Sequence, residues 1–338
     1  MLKHDGTVWA TGVNMFGQLG VNPTSAMMVT SFIKVIPGGA TAVAAGGEHS
    51  LVLKEDGSVW SSGVNINGQL GSGTNVDSDV FMKVTRNHYA KAVAAGEGHS
   101  LVVIRDGSVW ATGFNLHGQL GDGSNTDRRV FVQVMSGGAV AVAAGKHHSI
   151  ILRQDGSVWT TGENEHGQLG DESESKDNKN NFIKVVSGEV KAIAAGSTHT
   201  MVLKLDGSVW VAGQNKYGQL GDGSENSQGS FVHVIYDVKA MAAGNEHSIV
   251  LKEDGSVWVT GRNNFGQLGN GANTHRSTFV QVIAGGIQAV AAGGWHSMVV
   301  KHDGSLWATG ANLHGQLGDG SMIAKKIFVK VLLSHDGA

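Results

Sequence analysis

An Asp-Gly pair recurs seven times, at Asp5, Asp56, Asp106, Asp155, Asp206, Asp254 and Asp303, with intervals of 51, 50, 49, 51, 48 and 49 residues. Three residues beyond each Gly stands a Trp: Trp9, Trp60, Trp110, Trp159, Trp210, Trp258 and Trp307. Each Trp is followed by Gly-Gln-Leu-Gly, beginning at Gly17, Gly68, Gly118, Gly167, Gly218, Gly266 and Gly315. A Phe-x-x-Val closes every unit, from Phe32 and Val35 to Phe328 and Val331. Self-similarity at such a period marks a repeat architecture in which each unit buries its apolar face against its neighbours. Length alone would suggest about two domains, but no unit carries a long insertion, so residues 1–338 read as one array of seven repeats.

Gly supplies 51 residues and Pro only 2, while charged residues make up 16%, against roughly a quarter in an average domain. Gly-rich turns between short apolar runs account for this balance. The net charge of −3 leaves no basic footprint for nucleic acid or an anionic membrane. With no Cys, disulfides, thiolate nucleophiles and Cys-ligated metals are excluded. No apolar run reaches the roughly 20 residues of a membrane helix. The first residues, Met-Leu-Lys-His-Asp-Gly, are repeat sequence and carry no signal-peptide pattern. Compartment is left open.

Within the second unit four short runs stand out: Ala92–Gly96, Ser100–Ile104, Ser108–Thr112 and Phe131–Val134. Their length, Val content and Gly or Asp borders predict strands, and Asp-Gly between two of them predicts a hairpin. Leu51-Val52-Leu53 and Ile150-Ile151-Leu152 are apolar without alternation, as in a strand with both faces covered. The Ala-Val-Ala-Ala-Gly run has side chains small enough for the strand nearest an axis. Radial four-stranded sheets satisfy both patterns. The fold class expected is all-β, a seven-bladed β-propeller of four-stranded antiparallel blades.

Asp-Gly-Ser-Val-Trp-x-x-Gly-x-Asn-x-x-Gly-Gln-Leu-Gly, followed by Ala-Ala-Gly-x-x-His-Ser, resembles the regulator of chromosome condensation repeat family over essentially the whole chain. The resemblance implies a seven-bladed propeller. Family members include an exchange factor for the Ran GTPase, the plant ultraviolet-B receptor and secreted inhibitors of β-lactamases, each using propeller loops for protein contact. Units of 48–51 residues hold no protruding wedge of the exchange-factor type, and no basic tail is written in these residues. Trp295 is the one Trp outside the repeat position, which argues against the Trp cluster of the photoreceptor.

Ala-Ala-Gly-x-x-His-Ser occurs six times, beginning at Ala44, Ala94, Ala143, Ala194, Ala242 and Ala291. One blade is therefore expected to draw on both termini and to lack a strand, with Leu2 and the segment 331–333 meeting there. Either the chain is a segment of a longer protein, the favoured reading because Met1 falls mid-strand, or a short blade leaves an edge open to pairing with another chain. Otherwise a monomer is expected. The polar stretch Asp171–Asn181 lacks the repeating oxygen-ligand spacing of a calcium loop and reads as solvated.

Six of the sixteen His occupy one repeat position: His49, His99, His148, His199, His247 and His296. A residue present once per blade reads as structural, its imidazole and the following hydroxyl satisfying turn backbone groups. The repeat Trp reads as inter-blade packing, and the Asn and Gln of Asn-x-x-Gly-Gln-Leu-Gly as bonding their own loop. No Ser–His–Asp set, paired carboxylates or phosphate-binding Gly loop is present. The chain is read as non-catalytic, with no cofactor and no metal.

Positions where the copies disagree are free of the fold's demands. In antiparallel sheets alternate connections share an end, so Gly-x-x-His and Gly-x-Asn-x-x-Gly should lie on one face. Their variable residues include Phe16, Glu48, His117, Lys146, His147, His166, Tyr217, Glu246, Phe265, Trp295 and His314. Aromatic side chains of this type dominate protein interfaces. The expected function is protein–protein recognition through this face. The alternatives are nucleotide exchange on a small GTPase, or a structural array within a larger protein.

Overall fold

A computed structural model of the chain describes residues 1–22, 27–85, 89–173 and 175–331. They form 26 strands, arranged as six four-stranded antiparallel sheets and one two-stranded sheet. The two-stranded sheet pairs β1 (Val8–Val13) with β2 (Met28–Ile36). The next blade runs β3 (Ala40–Ala45), β4 (His49–Lys54), β5 (Val59–Gly63) and β6 (Ser78–Lys83), hydrogen-bonded in that order. The following one repeats it with β7 (Ala90–Ala95), β8 (His99–Ile104), β9 (Val109–Gly113) and β10 (Arg128–Met135). Four further blades follow, each with the same up-and-down order. These are the blades of a β-propeller.

The chain divides into two compact units, Met1–Glu163 with Asn178–Gly188, and Asn164–Asp177 with Glu189–Ala338. The first holds the two-stranded sheet and three blades, the second the remaining three. Within each unit the small-residue strand is the inner edge of its sheet, and the non-alternating strand beside it is buried on both faces. Leu51, Val52 and Leu53 are at most 3% exposed. Burying each such side chain contributes roughly 1.5–3 kcal/mol. Neighbouring blades share cores: Met201, Leu203, Val209 and Val211 of one pack against Met241, Trp258 and Phe279 of the next. The repeat Trp is thus an inter-blade packing residue. Its ring also carries a cation from the adjacent strand, as where Lys204 lies 4.2 Å over Trp210.

The Asp-Gly connection is a three-residue loop in which Gly57 N–H donates to Lys54 C=O at 2.8 Å. Only Gly57 has positive φ, at 75°. Asp56 acts through its carboxylate, accepting from the Ser58 N–H and hydroxyl at 2.9 and 2.5 Å. This is the turn-plus-bulge hairpin and not the tighter two-residue form.

The repeat His departs from its expected role. His49 Nε2 meets Ser100 Oγ of the next blade at 2.8 Å, and Ser100 Oγ donates to Gln69 C=O at 2.7 Å. The partner is therefore a neighbouring blade, not the residue's own turn. Gly46 makes room for the ring: a Cβ there would stand 2.4 Å from both His49 Cε1 and Gly96 O. Gly-Gln-Leu-Gly belongs to the same joint. Besides the Asn67 N–H donated to Gln69 Oε1 at 3.0 Å within the loop, Gly68 C=O accepts from Thr112 of the next blade at 2.9 Å.

At the N-terminus, Leu2 bridges to Val8 and packs with Val8, Ile36 and Ala40. Val331 N–H donates to Leu306 C=O at 2.9 Å, in the last four-stranded blade. Leu332 and Leu333 lie outside the described residues. So do residues 23–26 and 86–88, and Glu174 of the polar stretch Asp171–Asn181.

Candidate functional site

In each complete blade the two variable connections are tied together by their backbones. Val64, Phe114, Glu163, Gln214, Arg262 and Ala311 donate N–H to the carbonyls of Glu48, Gly98, His147, Thr198, Glu246 and Trp295 at 2.8–2.9 Å. The longer loop is held from inside by its buried Asn. Asn65 Nδ2 donates to Ser72 Oγ and to the carbonyls of Thr74 and Val76 at 3.0–3.1 Å, while its Oδ1 accepts from Leu70 N–H at 2.9 Å. The loop tips are therefore preorganised, and they present Ile66 and Leu116, 69% and 62% exposed, to solvent.

In the second unit these loops assemble an aromatic–cation cluster. Phe265 and Trp295 stack with centroids 5.4 Å apart and planes inclined at 30°. The Arg262 guanidinium lies 4.9 Å from the Tyr217 ring and 5.9 Å from the Trp295 ring. It is also ion-paired and hydrogen-bonded to Glu246, both side chains being 21% exposed. Tyr217 meets His275 edge-on at 5.1 Å, and His275 Nδ1 accepts the Asn263 N–H at 3.0 Å. One arginine thus links three successive blades, while Trp295 remains 42% exposed. A flat, immobilised and partly solvated indole is the kind of group that anchors protein interfaces.

The first unit has a smaller counterpart. His117 and His147 stack at 4.7 Å, and Phe114 packs against both at 6.0 and 5.5 Å. Asn178 Nδ2 reaches His117 Nδ1 at 3.3 Å, and Lys146 pairs with Glu97 at 3.7 Å. Burial, reinforced by the charges of His117 and Lys146, lowers the His147 pKa to about 4, so its ring is neutral at neutral pH. In the second unit, His166 Nε2 faces Gln214 Nε2 at 3.1 Å. Phe16, Glu48 and His314 stand exposed on their own loops, outside either cluster.

Sequence reasoning missed Phe114, Gln214, Arg262 and His275. Three of them were visible in principle. The residue before the loop Asn varies as freely as its neighbours, as Val13, Val64, Phe114, Glu163, Gln214, Arg262 and Ala311, and its backbone is where the two connections join. His275 offered no such signal.

Burial also lowers the repeat His: His49 and His296 to about 4, and His99, His148 and His247 to about 3. All five are neutral at neutral pH, and His49, His99 and His247 are buried and hydrogen-bonded to the next blade. Among the described residues no three His, Asp or Glu converge as a metal site, and no helix is long and apolar enough to cross a membrane.

A model of the RCC1-like domain matches residues 7–333. The chain belongs to the RCC1-like domain family. Curated relatives match only in part. The E3 ubiquitin-protein ligase MYCBP2 of Danio rerio is 40% identical over 71 residues, 21% of this chain and 2% of that one. Protein RCC2 of Mus musculus is 35% identical over 79 residues, 23% of this chain and 15% of that one. This RCC1-like chain therefore spans a small fraction of the length of these relatives. Among solved structures, human WBSCR16 superposes with a TM-score of 0.89 at 20% identity, over 97% of this chain and 94% of that one. Yeast RCC1 (Prp20) bound to Kap60 gives 0.88 at 21% identity, over 99% and 86%. The RCC1-like propeller fold is common to all three.

Proposed function

We propose that this RCC1-like chain is a non-catalytic recognition module that binds a protein partner through the face formed by its variable connections. The observation that carries the reading is the cluster around Arg262. Its rings are stacked and held by the partly buried Arg262–Glu246 pair, so little conformational entropy is lost when they are covered, and the exposed part of Trp295 supplies an apolar anchor. The first unit presents exposed loop tips of the same kind. A pull-down from the native source, comparing the intact chain with a variant carrying Ala at Phe16, Tyr217, Phe265 and Trp295, tests it. A partner recovered only by the intact chain supports the reading; equal recovery by both removes this face from recognition.

Nucleotide exchange on a small GTPase is the second reading. It rests on the fold shared with Prp20, a protein whose structure has been described together with its binding to Gsp1p and histones. Nucleotide release from a panel of small GTPases decides it: acceleration of release by the chain favours exchange, and its absence across the panel leaves the recognition module.

A further inference from the structure

Two departures from the repeat meet at one place in the first unit. At the end of the second strand of a blade, six repeats carry a cation, Lys3, Lys54, Arg153, Lys204, Lys252 or Lys301, lying 3.8–5.8 Å over the blade's own Trp. The remaining repeat carries Ile104. On the blade before it, the residue following the closing Val is Thr85, where the other described repeats have Ile36, Met135, Val186, Ile235 or Ile283. Those larger residues pair with the first Val of the third strand. At Thr85 the strand has already ended, and the Val59 N–H is taken by the Thr85 hydroxyl oxygen at 2.9 Å.

Both exchanges remove bulk or charge from the same space. Between β6 and the following blade lies a cavity of about 470 Å³, lined by Lys83, Thr85, Val102, Ile104, Trp110 and Phe131 among others. Its size falls in the range of small-molecule sites. Val102 and Ile104 are 1% and 8% exposed, so the inner wall is apolar. Two polar residues border it: Thr85, 6% exposed, whose hydroxyl oxygen accepts from the Val59 N–H, and solvent-exposed Lys83. The carboxylate that senses Lys83 is Asp56, and its Oδ1 is already engaged by Ser58.

We infer that this inter-blade cavity binds a small amphipathic anion, an aromatic or short aliphatic carboxylate, with its apolar body against Ile104 and Phe131 and its charge on Lys83 and the Thr85 hydroxyl. The inference is independent of the recognition face. The apolar body gains from leaving water, and the anion gains a charge-assisted hydrogen bond.

The test titrates the whole chain with 8-anilinonaphthalene-1-sulfonate, followed by dye fluorescence, and with neutral N-phenyl-1-naphthylamine as comparison. Thr85→Ile would leave the Val59 N–H without its acceptor, so the filling variant is Ile104→Lys, which restores the residue class of the other repeats. Expected are saturable single-site binding of the sulfonate, its displacement by aromatic carboxylates, and a loss of about tenfold or more, equal to about 1.4 kcal/mol, in binding of the neutral dye to Ile104→Lys, whose added ammonium would itself attract the sulfonate. Lys83→Gln, a surface change that tests the site without altering its apolar wall, should weaken the sulfonate several-fold and leave the neutral dye unchanged. Absence of saturable sulfonate binding, or undiminished binding of the neutral dye to a folded Ile104→Lys, would overturn the site. Equal weakening of both dyes by Lys83→Gln would overturn the anion.

Discussion

His49 Nε2 lies 2.8 Å from the hydroxyl oxygen of Ser100, 51 residues away and on the neighbouring blade. Because Ser100 gives its own proton to Gln69 C=O, its oxygen must accept from the imidazole. His49 is therefore protonated at Nε2, and its bare Nδ1 faces the Gly46 Cα. The relay recurs at His99–Ser149 and His247–Ser297 at 2.9 Å, and at His199–Ser248 at 3.0 Å. Ser100→Ala would orphan a buried N–H and a buried carbonyl at once. An unsatisfied buried group costs about 1–3 kcal/mol, so a loss of about 2–4 kcal/mol is expected in denaturant unfolding. A change below about 0.5 kcal/mol would remove the relay from the stability of the joint.

The same histidines set an acid limit. His49, His99, His148, His247 and His296 have pKa values lowered from 6.5 to about 3 or 4 by burial. Between those values the unfolded chain binds more protons than the folded one, so stability is complete above about pH 6.5 and falls as pH drops toward 4. The turn carboxylates Asp56, Asp106's counterparts Asp155 and Asp206, and Asp254, held below 3.8 chiefly by bonds to the following Ser, act only at lower pH. Melting temperature should begin to decline near pH 6; a flat profile from pH 6.5 to 4.5 would contradict the buried neutral rings.

Gly46→Ala should be among the costliest small changes. Its Cβ would sit 2.4 Å from Gly96 O and from the His49 ring, and neither a backbone carbonyl nor a hydrogen-bonded ring can yield freely. Overpacking of this kind costs about 1–3 kcal/mol, occasionally more. Gly39, whose added Cβ meets nothing within 4 Å but whose φ is 74°, provides the comparison in which only backbone strain contributes. Equal melting temperatures for the two variants would argue against the close approach.

Arg262→Ala separates recognition from folding at the loop cluster. It removes the cation beside Tyr217 and Trp295 and leaves Glu246 half-buried without its partner. A loss of about 1–3 kcal/mol is expected, with looser packing of Trp295. Arg262→Lys would keep the charge but not the flat, forked guanidinium. Trp295→Ala, by contrast, truncates a 42% exposed side chain and should change stability by about 1 kcal/mol or less while abolishing partner capture. Retention of the partner by Trp295→Ala would move the anchor elsewhere on the loops.

The repeat was legible wherever a residue acts within its own turn or strand. Gly57 and Asn65 could be assigned from one unit and checked against the other copies. The partner of His49 was not legible in that way, because Ser100 belongs to the next copy and the periodicity shows only that both residues recur. Arg262 stayed hidden for a related reason: one Arg at a variable position carries no signal of its own, and the rings that it joins, Tyr217 and Trp295, belong to the blades on either side. Ile104 and Thr85 are plain departures from the pattern, but each alone reads as drift. Their meaning comes from sharing one space.

The repeat count, the strand-and-turn grammar of each blade and the identity of the variable loops can be read along the chain, since they follow from local backbone preferences and the alternation of apolar and Gly-rich segments. That His49 bonds to Ser100, that Arg262 lies between Tyr217 and Trp295, and that a cavity opens beside Thr85 and Ile104 emerge only when the blades are packed. The physical reason is that blade packing brings together side chains separated by one or two whole repeats, and their distances are set by that packing and not by spacing along the chain.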